Sequence, residues 1–168
     1  MVAGCTWVIF LTTEVWNTMA SCSKSEYKSD NPPDKCDYQD AMCQYQGSAS
    51  VSCKVRRKGS STWRDLDDRP SLKIKSDGEA FVFEENWVSK KVTLNNGVRK
   101  TFVDSEVRAY KTFRDLGVAA SLAKLEWPTI AEVEHTLEHG EDGKHYHKNG
   151  VFGNENIIMT DQLRRLKE

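Results

Sequence analysis

Residues 59–62 read Gly-Ser-Ser-Thr, and Lys73 and Lys75 follow a short distance later. A glycine lets backbone N–H groups come close to a phosphate, and a lysine on a rigid strand adds a point charge. A helix carboxylate can hold such a lysine in place. Glu106 is the natural candidate for that role. The residue types therefore nominate Gly59, Ser60, Ser61, Thr62, Lys73, Lys75 and Glu106 as contacts to a phosphorylated ligand. Neither G-x-x-x-x-G-K-[ST] nor G-x-G-x-x-G is present, so spacing alone does not specify a nucleotide site. Read without further context, the same residues are a Ser-rich turn, two solvated lysines and a helix-capping glutamate.

Cysteine and histidine offer two further chemistries. Cys22, Cys36, Cys43 and Cys53 lie in a polar stretch without any C-x-x-C pair, and Cys5 is left over. Irregular spacing of this kind argues against zinc and for disulfides formed in an oxidising compartment. Three pairings are possible, and the sequence does not choose among them. His135 and His139 are four apart, and His145 and His147 two apart. Across a hairpin they could approach a common metal, but a polar hairpin with histidines near its tip is the simpler reading. No metal site is assigned.

The elements that would position these residues follow from periodicity. Residues 6–13 read as a buried strand of β-branched and aromatic residues. Residues 17–48, with Pro32-Pro33 in their middle, read as a loop region tied by its cysteines. Val51, Cys53 and Val55 alternate with polar residues, as do Leu72 and Ile74 with Lys73 and Lys75, so each run predicts a half-buried strand. Ala80–Phe83 and Trp87–Leu94 are further strands, the second closing at Asn95-Asn96-Gly97. The helix signal is clearest over 105–116. Asp104 is the N-cap, Val107, Tyr110, Phe113 and Leu116 form an apolar face, and Gly117 is the C-cap. Residues 131–137 and a return from His145 predict a hairpin, and 160–168 the start of a helix.

The chain has 168 residues, 38% apolar and 29% charged, with a net charge of -1. This is the balance of one soluble globular domain. Bulk charge gives no reason to expect nucleic acid as a partner, and no run reaches the ~20 apolar residues of a membrane-spanning helix. The expected class is α+β, a mostly antiparallel sheet with one main helix.

Two blocks give this pattern a relative. Lys58-Gly59-Ser60-Ser61-Thr62-Trp63, followed by Arg69-Pro70-Ser71-Leu72-Lys73-Ile74-Lys75, resembles the R-G-x-S-[ST]-W turn and K-P-[SF]-[YLF]-K-[IL]-K strand of the spore-coat-protein-H (CotH) kinase-like family. Lys58 and Arg69 exchange the usual arginine and lysine. Lys91-Val92-Thr93-Leu94-Asn95-Asn96 resembles the family's K-x-x-L-x-N segment, and Tyr110 to Gly117 its A-Y-x-x-F-R-D-x-G helix. The resemblance covers most of 7–118 and thins beyond it. It implies the N-terminal lobe of an atypical protein-kinase-like fold over 1–168, truncated. Residues 22–53 would be a cysteine-containing loop region, 54–118 the best-matching core, and 119–168 a hairpin and the start of a second lobe. It implies a secreted or surface enzyme moving the γ-phosphoryl group of ATP, with Mg or Mn, to protein Ser or Thr. The family's catalytic and metal-binding aspartates have no counterpart here, so catalytic residues are unassigned and the chain is expected to be inactive as given. The alternative implied is a non-catalytic extracellular module for surface adhesion, with a surface partner in place of a protein substrate.

Overall fold

The computed structural model describes residues 6–68, 70–84, 87–96, 104–118, 120, 122–126, 128–133, 145–146 and 157–161. Along the chain run β1 (Trp7–Thr12), α1 (Thr13–Ala20), α2 (Lys24–Tyr27), a 3-10 turn (Asp34–Cys36), β2 (Gln39–Tyr45) and β3 (Val51–Lys58). Then come β4 (Ser71–Ser76), β5 (Phe81–Glu84), β6 (Trp87–Ser89), β7 (Lys91–Asn95) and α3 (Asp104–Asp115). β8 (Ala123–Glu126), β9 (Pro128–Val133), β10 (His145–Tyr146) and β11 (Ile157–Asp161) complete the described elements.

Nine of these strands form one sheet in the order β10-β9-β1-β2-β3-β4-β7-β11-β8, and β5 pairs separately with β6. Within the large sheet only β1 and β9 run parallel. The expected α+β class with a mostly antiparallel sheet is what the chain adopts. The described strands beyond residue 119 are woven into this same sheet: β9 lies beside β1, and β11 beside β7.

One face of the sheet carries the core. Trp7, Ile9 and Leu11 alternate onto it from β1, Cys53 and Val55 from β3, Leu72 and Ile74 from β4, and Val92 and Leu94 from β7, all buried. Fully burying an aliphatic side chain of this size stabilises by roughly 1.5–3 kcal/mol. Met19 of α1 closes over one part of this face. Phe81 and Phe83 close over another, with ring centroids 5.1 and 5.9 Å from that of Trp7.

Three expectations change. Residues 17–48 are not one loop region: they hold most of α1, then α2 and an interior strand, β2. α1 starts inside the expected strand because Thr12 caps it, accepting from the N–H of Val15 at 3.1 Å. Val15, Trp16 and Met19 then supply one apolar stripe packed on the core. The single strand expected over 87–94 is two, because Ser89 Oγ binds the main chain of Lys91 and breaks the run. The helix expected from 160 is instead the end of β11 as far as Asp161, and later residues lie outside those described. By contrast, α3 matches its reading in extent and C-cap, although Phe113 and Leu116 of the expected apolar face are exposed. Gly117 takes φ +79°, its N–H donates to Arg114 O at 3.0 Å and that of Val118 to Phe113 O at 2.9 Å, a Schellman cap.

Two disulfides join Cys22 to Cys36 and Cys43 to Cys53, with Cα separations of 5.3 and 6.0 Å. They agree with the expectation of at least one pair among these four residues and fit an oxidising compartment. The first ties the end of α1 to the 3-10 turn, and the second clips β2 to β3 on the core face. Cys5 lies outside the described residues. Peptide mapping without reduction should recover these two pairs, and any other pairing would contradict the fold. Replacing Cys22 and Cys36 together by serine should cost about 3 kcal/mol, measured as a lower urea midpoint.

Candidate functional site

The site is organised by an arginine. Inward phase along β3 runs Cys53, Val55, Arg57, and all three are buried, Arg57 at 4% exposure. Its Nη1 donates to Met19 O at 3.1 Å and Cys22 O at 3.0 Å, and its Nη2 donates to Arg64 O. The guanidinium carbon sits 4.2 Å from the centroid of the Trp63 ring. The first two acceptors lie in the last turn of α1 and just past its C-cap Ser21, at the negative end of the helix dipole; Met19 O also accepts from Cys22 N at 3.2 Å. Burial lowers the arginine's pKa, opposed by the charges of Asp65 and Asp67.

That arginine fixes the Gly-Ser loop. Gly59 takes φ +127°, and a Cβ there would come 3.2 Å from Thr62 Oγ1 and 3.3 Å from Trp63 N. Both the backbone conformation and the space call for glycine. The loop is then held by its carbonyls. Ser60 O accepts from Trp63 N at 3.3 Å, Thr62 O from Asn96 Nδ2 at 2.9 Å, and Arg64 O from Arg57. Asn96 is itself fixed, its N–H donating to Ser71 Oγ at 3.0 Å. The Tyr27 ring packs on Trp63 with centroids 5.0 Å apart. Among the described residues the N–H groups of Ser60, Ser61 and Thr62 have no acceptor. A loop anchored through its carbonyls, with its donors uncommitted, is arranged to receive an anion.

Lys73 and Lys75 lie on the sheet face opposite the core, as β4 alternation requires. Register places Arg56 and Lys54 directly across from them on β3, and Thr93 and Lys91 across on β7. Lys73 is half-buried and has no carboxylate partner among the described residues. Burial first, then the charges of Arg56 and Lys91, lower its pKa from the ordinary 10.5. Lys75 lies 5.6 Å from the Tyr38 ring centroid, and Arg56 4.9 Å from it. Lys54 is paired with Asp40 at 2.5 Å, and Lys58 Nζ donates to Asn95 Oδ1 at 2.8 Å.

The loop adjoins the end of the strand pair β3–β4, and the two lysines share one face of β4 a few residues away. Trp63 is half-buried beneath the loop, stacked on Arg57 rather than sunk in the core. Glu106 belongs to α3, which packs on β8 and β11; its side chain lies outside the described residues. So do the side chains of all four histidines. Among the described residues no group of metal-ligating side chains converges. Two cavities are formed among the described residues, and residues 59–62 line neither. One, of about 690 Å³, includes Tyr45, Val51, Phe81 and Val82 at the other end of β3, and one of about 360 Å³ lies beside Arg56. Sequence reasoning missed Arg57 and Asn96. A signal existed for Arg57, since the alternation of Cys53 and Val55 puts position 57 on the buried face.

Two outcomes test this geometry. Arg57→Ala removes three hydrogen bonds and strands the carbonyls of Cys22 and Arg64, and should destabilise by about 2–5 kcal/mol, with Arg57→Lys recovering only part because one ammonium cannot reproduce the fork. Lys73→Met should raise the melting temperature at neutral pH. The lowered native pKa means the unfolded chain binds more protons between that value and 10.5. The penalty is therefore complete below the native pKa and is relieved as pH rises through this window. The variant should lose that rise, and a wild-type stability that fell over the window would contradict the assignment. Compared with known protein families and curated sequences, the chain matches no family model and no curated protein, so its functional reading rests on these residues.

Proposed function

We propose that the domain binds the phosphates of a nucleotide at the loop 59–62 and Lys73, as the N-terminal part of an extracellular kinase-like domain. The observation that carries this reading is the loop: three carbonyls are tied down by Trp63, Asn96 and Arg57, and the N–H groups of Ser60, Ser61 and Thr62 are left as donors. Lys73 or Lys75 would add charge to the same ligand, and Glu106 would orient the lysine. The two disulfides support an extracellular or cell-surface setting. No described helix is long and apolar enough to cross a membrane.

In the kinase-like reading the ligand is ATP with Mg or Mn, and the acceptor a protein Ser or Thr. Phosphoryl transfer depends on metal ions held by carboxylates. Residues 1–168 contain no segment matching the family's metal-binding aspartates, so nucleotide contact is proposed without turnover. The rival reading, a non-catalytic surface-binding module, draws on the concentration of cations around Lys73.

Titration with a fluorescent ATP analogue should show weak, saturable binding that falls at least about tenfold in Lys73→Met and in Gly59→Val. Incubation with labelled ATP, Mn²⁺ or Mg²⁺ and a generic protein substrate should give no transfer above background. Absence of nucleotide binding, or binding untouched by both substitutions, would overturn the proposal. Transfer abolished by Lys73→Met would show that the chain carries a metal site of its own.

A further inference from the structure

Like charges directly opposite one another on a sheet are destabilising, yet β3, β4 and β7 place them so repeatedly. Lys54, Lys75 and Lys91 form one row across the three strands, and Arg56 and Lys73 are neighbours in the next. At ~4.8 Å between strands, the first row spans about 10 Å, and the second lies about 7 Å from it. Carboxylates are the minority around the five cations: Asp40 pairs with Lys54, Asp77 acts on the same lysine, and Asp37 shares a cavity with Arg56. The chain as a whole has a net charge of -1, so this face is a segregation of charge and not a reflection of composition.

A concavity adjoins the array. Arg56 lines a cavity of about 360 Å³ together with Tyr27, Pro32, Cys36 and Asp37. The repulsive array costs stability, and an anionic ligand lying across it would relieve that cost.

We infer that this face binds an extended acidic polysaccharide, its sulfate or carboxylate groups spaced across Lys54, Lys75, Lys91, Arg56 and Lys73. The two rows exceed the footprint of one phosphate, so a chain of separated anions fits them better than a single group. Single-stranded nucleic acid fits less well, because it needs aromatic faces for base stacking. The aromatic side chains here are already used: Tyr38 by Arg56 and Lys75, and Tyr27 by Trp63. The disulfides place the chain in the compartment where such polysaccharides are met. This face shares Lys73 and Lys75 with the proposed nucleotide site, so the test substitutes Lys54 and Lys91, which that site does not use.

The test is fluorescence anisotropy of a labelled, highly sulfated heparin-type oligosaccharide with the disulfide-intact chain, at low and at physiological salt. Binding should weaken steeply with salt and fall at least about tenfold in the double variant Lys54→Glu/Lys91→Glu, while the ATP analogue binds that variant as it binds wild type. Lys91→Ala alone gives a milder version in case charge reversal disturbs the fold. No binding of the oligosaccharide, or binding unchanged in both variants, would overturn the inference. So would tighter binding of a single-stranded oligonucleotide of equal charge. Loss of the ATP analogue with retention of the oligosaccharide would sink the nucleotide reading and leave this one intact.

Discussion

The rest of the structure depends on how the buried charge of Arg57 is answered. A guanidinium removed from water must find acceptors for its donors or it cannot be there. Arg57 draws two from the end of α1, one from the loop that follows β3, and the face of Trp63. Three segments distant in sequence are thereby fixed relative to one another. The Cys22–Cys36 disulfide begins at one of those acceptor residues, so the covalent clip and the ionic knot secure the same corner. A hydrophobic residue at position 57 could fill the volume, but it would leave the main-chain carbonyls unanswered. What the arginine contributes is geometry more than stability.

Its neighbour shows the opposite solution. Arg56 and Arg57 are consecutive on β3 and point to opposite faces of the sheet. On the core face the charge is surrounded by carbonyls and an indole ring. On the other it meets Lys73 across the strand and a tyrosine ring, with one buried donor left unpaired. Each arginine leaves its Nε buried without a partner, but the terminal nitrogens of Arg57 are met by three carbonyls, whereas Arg56 faces another cation across the strand. Local rules broken without an internal compensation mark the places where function is to be sought.

Much of the fold was legible wherever aliphatic residues alternate. β3 and β4 follow from Val51, Cys53 and Val55 and from Leu72 and Ile74. α3 follows from Asp104, its apolar spacing and Gly117. β2 was hidden because its buried residues are Ala41, Cys43 and Tyr45, which in a polar stretch do not announce a core strand. α1 was hidden because the apolar run of β1 passes straight into it, and only Thr12 marks the change. The disulfide pairing needed coordinates, since it depends on β2 lying beside β3. The loop and its glycine were readable, but what holds them was not: Asn96 was assigned to a turn, and its hold on Thr62 spans 34 residues of sequence.

The charge cluster shows a different limit of sequence reasoning. Net charge gave no reason to expect nucleic acid as a partner, because it sums residues that the fold keeps apart. Lys54, Arg56, Lys73, Lys75 and Lys91 come from three strands and meet only through register. A one-residue slip in any of those pairings would send that strand's cations to the core face. The hydrophobic alternation that buries Val55, Ile74 and Val92 is thus also what assembles the cations on the far side. Core and charged face are specified by the same period-two pattern, and neither can be altered in register without losing the other.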